Sequence, residues 1–185
     1  MIVFCVFFIK IFMQIFIYYL TLRGQNCIIY YRGVILSTDI MKGIHMTRRE
    51  AREAVFGLLF ETDFHPQDTA EDIFEISCDN REIGEDKYVR AAYFGVMEHM
   101  DEIDAVIEKH AHGWKTYRMS AMSRATLRLC IWEMMYGENI PIAVSINEAI
   151  ELIKKFDDEK ARPFVNGILN SVKVTIENNK AQGDE

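Results

Sequence analysis

Three arginines stand close together at the start of a predicted helix, and their side chains have the chemistry to hold phosphate. Arg48 and Arg52 are four positions apart, which places them on one helical face, and Arg49 lies beside them. Three cations in the first turns of a helix conflict with the positive end of its macrodipole, so they call for an anionic partner. RNA phosphate meets that need. The alternative is a solvated arginine face paired with Glu50 and Glu53.

A second candidate surface is the segment from Trp114 to Ser120, WKTYRMS, where aromatic residues stand between cations. Lys115 and Arg118 could contact phosphates, and Trp114 or Tyr117 could stack on an unpaired base. For Trp114 the alternative is core packing at a junction between helical bundles. The segment therefore predicts either a contact with single-stranded RNA or a packed connection.

The sequence lacks the common signatures of enzymes and metal sites. It contains no P-loop, no G-x-S-x-G elbow, no HExxH and no dinucleotide-binding glycine motif. The four cysteines form no CxxC pair, which suits a reducing cytosol. His110 and His112 do not share a helix face, so we expect no metal there. We predict a protein that is not an enzyme and has no cofactor and no small-molecule substrate.

The elements that must position these residues are helices, because apolar residues recur at three- and four-residue spacing along most of the chain. Thr47 with Glu50 forms a capping-box pattern at the first helix. We expect one long helix over 85–111, in which Gly95 marks a close crossing. The next helix should cover 121–136, where Arg128 is a candidate for a structural ion pair.

The stretch from Ile140 to Val172 predicts a helical hairpin with a charged turn at 157–160. Gly167, inside its second helix, suggests the close approach of another helix. Together these elements predict an all-α fold of six or seven helices in two small packed bundles. The apolar stripe of the hairpin's first helix consists of Ile142, Ile146, Ala149, Ile153 and Phe156.

Three motifs carry a resemblance to a known family. In chain order they are RRxARE at 48–53 with Phe60, then Arg124-x3-Arg128-Leu129-x3-Glu133, and last Pro141 with the strings VxINEA and FVNGxL. In this order and spacing they resemble the transcription antitermination factor NusB family over about residues 47–177. The resemblance implies a cytoplasmic factor that binds ribosomal protein S10 and, with it, the boxA element of nascent RNA. Such a factor joins RNA polymerase and other antitermination factors, and it suppresses termination, notably on ribosomal RNA operons.

The resemblance also implies site residues, carried over by position. RNA contacts would come from Arg48, Arg49, Arg52, Lys115, Arg118, Lys160, Phe164 and Asn166. The S10 face would lie on the helix at 121–136, with Phe60, Ser123, Arg124 and Leu127. Ser123 stands where the family usually carries an acidic residue, so a charge pair there is either missing or rebuilt. Certain ribosomal RNA cytosine methyltransferases contain the same fold, but this sequence leaves no room for their catalytic domain.

Residues 1–45 do not fit the rest of the chain. Residues 1–22 are apolar enough for a membrane anchor, which needs roughly 20 such residues, and the protein would then be a membrane-anchored helical adaptor. Alternatively, a mis-assigned start places 1–45 outside the native protein, because the codons before Met46 contain a purine-rich tract like a ribosome-binding site. The folded domain would then be 46–178, followed by a disordered tail at 179–185.

Charge bears on the partner as well. Four of the 21 basic residues and one of the 28 acidic residues precede Met46, so the remainder carries 17 against 27, a net charge of −10. Such acidity argues against indiscriminate nucleic-acid binding but permits a local basic patch that selects RNA.

Overall fold

The computed structural model describes residues 46–81 and 86–183, with side chains described for 46–78 and 86–179. The predictions for residues 1–45 concern positions outside this part of the chain. The described residues form seven helices and no strand, which confirms the predicted all-α fold. The helices are α1 (Arg48–Thr62), α2 (Ala70–Arg81), α3 (Lys87–Glu98), α4 (Met100–His110), α5 (Ala121–Tyr136), α6 (Ile142–Phe156) and α7 (Ala161–Gly183), with a 3-10 turn at Thr116–Arg118. Helix α7 continues past residue 178, where we expected a disordered tail to begin.

The first helix begins at the predicted capping box. The Thr47 hydroxyl accepts a hydrogen bond from the Glu50 backbone N–H at 3.2 Å, and the Glu50 carboxylate accepts one from the Thr47 N–H at 2.8 Å. Two N–H groups that have no partner inside the helix are therefore satisfied. This cap fixes where α1 starts, and with it the positions of the arginines in its first turn.

Helix α5 is the centre of the fold. It packs against α1, α3, α4, α6 and α7, whereas α1 also packs with α2 and α3, and α7 with α4 and α6. From Ser123 to Met134 every α5 side chain except Arg124 is buried. A helix that is buried nearly all round must be enclosed by its neighbours. The two expected bundles therefore share α5.

The predicted long helix over 85–111 is two helices. The chain leaves helical geometry at His99, with φ −106° and ψ 19°, between α3 and α4. The His99 ring lies 4.2 Å from the Tyr136 ring, centroid to centroid, and its Nδ1 is 2.9 Å from the Gly95 carbonyl oxygen. The expectation of one helix was wrong because the apolar spacing continues across the break and hides it.

The two glycines singled out in the sequence differ in their surroundings. A Cβ at Gly95 would lie 2.3 Å from Nε1 of Trp132, so α3 and α5 approach closely there, as expected. A Cβ at Gly167 would meet nothing within 4 Å. Gly167 is exposed on α7, so the expectation of a close helix at that position was wrong.

These two glycines give a matched pair for stability. Gly95→Ala should lower the free energy of unfolding by about 1–3 kcal/mol, the usual cost of overpacking, because Trp132 occupies the space. Gly167→Ala should raise it by up to about 1 kcal/mol, because alanine favours the helix over glycine. Urea unfolding of both variants measures the difference. Equal stability of the two variants would contradict the close packing of α3 on α5.

Candidate nucleic-acid interface

Two of the three clustered arginines are accessible. Arg48 is exposed, and its guanidinium carbon lies 5.0 Å from the centroid of the Tyr88 ring. The side chain of Arg49 is 57% exposed, and its only ion pairs among the described residues are long, 4.0 Å to Glu53 and 3.7 Å to Glu151. Long exposed pairs hold a cation weakly. Both guanidinium groups can therefore take an anionic ligand.

The third arginine belongs to the core. Arg52 is 7% exposed, and its Nε donates to a carboxylate oxygen of Glu133 on α5 at 2.8 Å. The Tyr88 hydroxyl of α3 donates to the same oxygen. Burial, and then the charge of Glu133, raise the pKa of Tyr88 above its ordinary value, so this hydroxyl keeps its proton. The expectation that Arg52 lies on an open face was wrong. Its partner Glu133 is 81 residues away in the sequence, so the spacing of residues within α1 could not reveal the buried ion pair.

A second exposed cluster joins two of the predicted segments. The Trp114 ring packs edge to face on Phe164 of α7, with centroids 5.9 Å apart, and the Arg118 guanidinium lies 5.5 Å from the Trp114 centroid. Trp114 is 50% exposed and neighbouring Tyr117 is 77% exposed. The alternative of Trp114 as a core residue was therefore wrong. Exposed aromatic rings beside a cation form a surface on which unpaired bases can stack.

The remaining predicted RNA contacts differ in availability. Lys115 is engaged, with its Nζ 2.6 Å from a carboxylate oxygen of Glu108, and hydrogen bonding to this carboxylate raises the pKa of Lys115. Lys160 is exposed in the turn before α7; its backbone N–H donates to Asp158 at 2.9 Å, but its ammonium group has no ion-pair partner within 4.0 Å among the described residues. Asn166 is exposed on α7, and its side-chain oxygen accepts a hydrogen bond from Asn170 at 3.1 Å.

Two of the three predicted partner residues on α5 are buried. Leu127 is fully buried, and Ser123 is 3% exposed and donates to Asp157 at 2.7 Å. The Arg124 Nε donates to Asp63 at 2.9 Å. Ser123 and Leu127 are therefore not available to a partner, because α5 is the central helix, whereas a partner face on α5 as a whole stays a prediction. Of the four predicted residues, Phe60 and Arg124 are partly buried, whereas Ser123 and Leu127 are buried.

A neighbour of Phe60 was missed in the sequence. The rings of Phe60 and Phe64 are 4.8 Å apart, and Phe64 is 61% exposed. Arg124 links this end of α1 to the 3-10 turn, since it contacts Asp63 and the Thr116 carbonyl, the latter at 3.0 Å. The i, i+4 spacing of the two phenylalanines could have revealed the pair.

The prediction of a structural role for Arg128 is confirmed. Its Nε and one terminal nitrogen donate to the two carboxylate oxygens of Asp104, at 2.8 and 2.7 Å. Its other terminal nitrogen donates to Asp63 at 3.0 Å. Because the planar guanidinium matches both acids, Arg128 ties the end of α1 and helix α4 to α5.

Neither a metal-binding cluster nor a membrane-spanning helix is found in the described part of the chain. Within residues 46–81 and 86–183, no group of three or more His, Cys, Asp or Glu side chains is placed to hold a metal ion. Over the same residues, no helix combines the length and apolar character needed to cross a bilayer. Cys130 is buried, which raises the pKa of its thiol well above the ordinary value and leaves it unreactive.

The arrangement defines an all-α protein with two exposed cation-bearing patches, one at the start of α1 and one formed by the 3-10 turn with the start of α7. The family model described as "NusB family" matches residues 49–173. Over 132 residues the chain is 44% identical to the transcription antitermination protein NusB of Bacillus subtilis (strain 168), an alignment that covers 71% of this chain and 98% of that protein. The chain belongs to the NusB family.

Solved structures agree with this assignment. The structure of T. maritima NusB aligns with a TM-score of 0.64 and 35% identity, covering 70% of this chain and 92% of that one. A structure of antitermination factors NusB and NusE in complex with dsRNA aligns with a TM-score of 0.62 and 27% identity, covering 68% of this chain and 94% of that one. The resemblance found in the motifs is thereby confirmed.

The different burial of the arginines predicts different effects on stability. Arg52→Gln should lower the free energy of unfolding by about 3–5 kcal/mol, because it leaves the buried Glu133 charge without its ion-pair partner. Arg49→Gln should change it by less than about 0.5 kcal/mol, the range for surface sites. Thermal and urea unfolding of both variants test this difference. An Arg52→Gln protein as stable as Arg49→Gln would mean that Glu133 is not held by Arg52.

Proposed function

We propose that this protein is a transcription antitermination factor that binds boxA RNA together with ribosomal protein S10. Bound in this way, it would help RNA polymerase and other antitermination factors to read through terminators, notably in ribosomal RNA operons. The observation that carries the proposal is the pair of exposed cation-bearing patches on a chain of net negative charge. The names of its relatives, and a structural neighbour that contains NusB, NusE and RNA, support the same function.

The proposed mechanism is assembly, with no chemical step. Phosphates would contact Arg48 and Arg49 at one patch and Arg118 at the other, and bases would stack on Trp114 and Phe164. The acidic remainder of the surface repels RNA, so binding is confined to these patches. Arg52 has a different role from the one predicted: it would hold α1 in place and leave the contacts to its neighbours.

The protein partner would bind at the other end of α1. Phe60 and Phe64 form an aromatic pair there, and Arg124 links this region to the Thr116 carbonyl of the 3-10 turn. Exposed aromatic residues are enriched at protein interfaces, where they bury large apolar areas. We therefore assign the S10 contact to this aromatic surface instead of the buried residues of α5. Such a factor acts where transcription takes place, in the cytoplasm.

The phosphate contacts can be tested with S10 present. The double variant Arg48→Gln/Arg49→Gln should weaken binding to boxA RNA. It should also flatten the plot of log affinity against log salt by about one unit for each phosphate interaction that the substitutions remove. Fluorescence anisotropy at several salt concentrations measures both quantities. Binding to S10 alone should persist, because the aromatic surface is unaltered.

Lys109→Gln supplies the charge control. Lys109 is an exposed lysine on α4 whose ammonium group has no ion-pair partner within 4.0 Å among the described residues, and it lies in neither patch. Its removal should leave the salt dependence unaltered. If the double variant behaves like the Lys109 variant, the arginines at the start of α1 are only a solvated face.

A further inference from the structure

One face of α3 is exposed and carries two cations beside an aromatic ring. Lys87, Arg90 and Ala91 are exposed, and Phe94 is half-buried. Their spacing of three and four positions puts these residues on one side of the helix, where they line a shallow hollow of about 470 Å³. Other sides of α3 pack against α1 and α5. Neither the phosphate patches nor the aromatic surface at the end of α1 includes this hollow.

The guanidinium group of Arg90 lies over two aromatic rings. Its central carbon is 5.1 Å from the centroid of Phe94 and 5.5 Å from the centroid of Phe74 on α2. Such stacking stabilises the cation and limits its orientations. In the described part of the chain, neither this guanidinium group nor the Lys87 ammonium group has an ion-pair or hydrogen-bond partner. Two positioned cations are therefore available to an anionic ligand.

The surroundings favour carboxylates over an RNA strand. An unpaired base needs an open ring face for stacking, but Arg90 lies over both rings and Phe74 is only 5% exposed. On α2, Glu71 and Glu75 lie within one turn of Phe74, and both are exposed without an ion-pair partner within 4.0 Å among the described residues. The repeated phosphates of a strand would meet these acids and be repelled. One or two carboxylates can instead contact the cations of α3 alone.

The floor of the hollow is apolar. The methyl group of Ala91 and the partly exposed ring of Phe94 form it. Removing apolar groups from water drives most protein association, whereas an exposed ion pair adds little affinity. A fitting ligand must therefore combine an apolar ridge with carboxylates at its edge. An amphipathic helix has this chemistry, because its residues three and four positions apart share one face.

We propose that the exposed face of α3 docks an acidic amphipathic helix of a protein partner. Apolar side chains of that helix cover Ala91 and Phe94. Its carboxylates lie at the edge of the contact, where Arg90 donates two parallel hydrogen bonds to one of them and Lys87 pairs with another. The contact goes beyond the proposed function, because it is separate from the surfaces assigned to RNA and to S10. Its small area suits a transient partner.

The test uses three labelled helical peptides of about 16 residues, a length that supports a helix in water. The first has Leu along one face and Glu at both edges of that face, the second has Lys in place of each Glu, and the third has Ala in place of each Leu. Fluorescence anisotropy measures their binding to the full chain. The wild-type protein should bind only the first peptide. Arg90→Glu should bind that peptide at least about tenfold more weakly and should gain binding to the Lys peptide, because the charge at the contact is reversed.

Lys87→Glu is the second variant, since Lys87 makes no ring contact in the described part of the chain and its replacement leaves the stacked rings in place. It should change binding in the same direction as Arg90→Glu. Lys109→Glu is the matched control, because it makes the same substitution on α4 outside the hollow. The docking proposal is overturned if wild type does not bind the first peptide at up to about 1 mM, or if the Ala peptide binds equally well. Equal weakening by Lys109→Glu would also overturn it.

Two further measurements with Arg90→Glu distinguish the other occupants. A lower affinity for boxA RNA in the presence of S10, with a flatter salt dependence, would place the hollow in the RNA interface. A self-associated wild type that becomes monomeric in the variant, measured by sedimentation, would make the occupant a second copy of this chain. Either result overturns the docking proposal and leaves the proposed function standing. A wild-type protein that binds boxA and scrambled RNA equally would instead overturn the proposed function alone.

Discussion

The fold depends on one buried carboxylate, that of Glu133 in the central helix. Glu133 is 2% exposed and receives hydrogen bonds from Arg52 of α1 and from Tyr88 of α3. An isolated charge in such a place costs several kcal/mol, so the carboxylate is tolerable only while its donors remain in position. Each donor comes from a different helix. The requirement therefore fixes α1 and α3 against α5, and it places the Tyr88 ring under the Arg48 guanidinium.

The far end of α1 is held by the opposite arrangement, an acid between two cations. Asp63 accepts hydrogen bonds from Arg124 and Arg128 of α5, and Arg128 also donates to Asp104 of α4. Helix α1 is thus attached to α5 by ion pairs at both ends. With both ends held in this way, α1 exposes cations at its start and an aromatic ring just beyond its end.

An acidic protein can bind RNA when some of its cations pair with its own acids and the others are left together on the surface. Arg52, Arg124 and Arg128 neutralise buried or half-buried acids, so they add little to the outer field. The cations that remain available at the two patches are few, and they stand beside exposed aromatic rings. Selection of an RNA strand then depends on the position of these cations more than on the total charge.

The sequence by itself determined the helical fold class, the start of α1, the structural role of Arg128 and the family. These features rest on local spacing, on capping chemistry three residues apart and on motif order, all of which can be read along the chain. Only the tertiary structure decided which cations are available to a ligand. Arg52 is held by Glu133, a residue 81 positions away in the sequence, whereas Arg49 has no such buried partner. The tertiary structure also decided that α5 is enclosed, that Trp114 is exposed and that the predicted long helix is interrupted at His99. Periodicity reports that a residue can be buried, whereas burial itself is set by which distant helices pack against it.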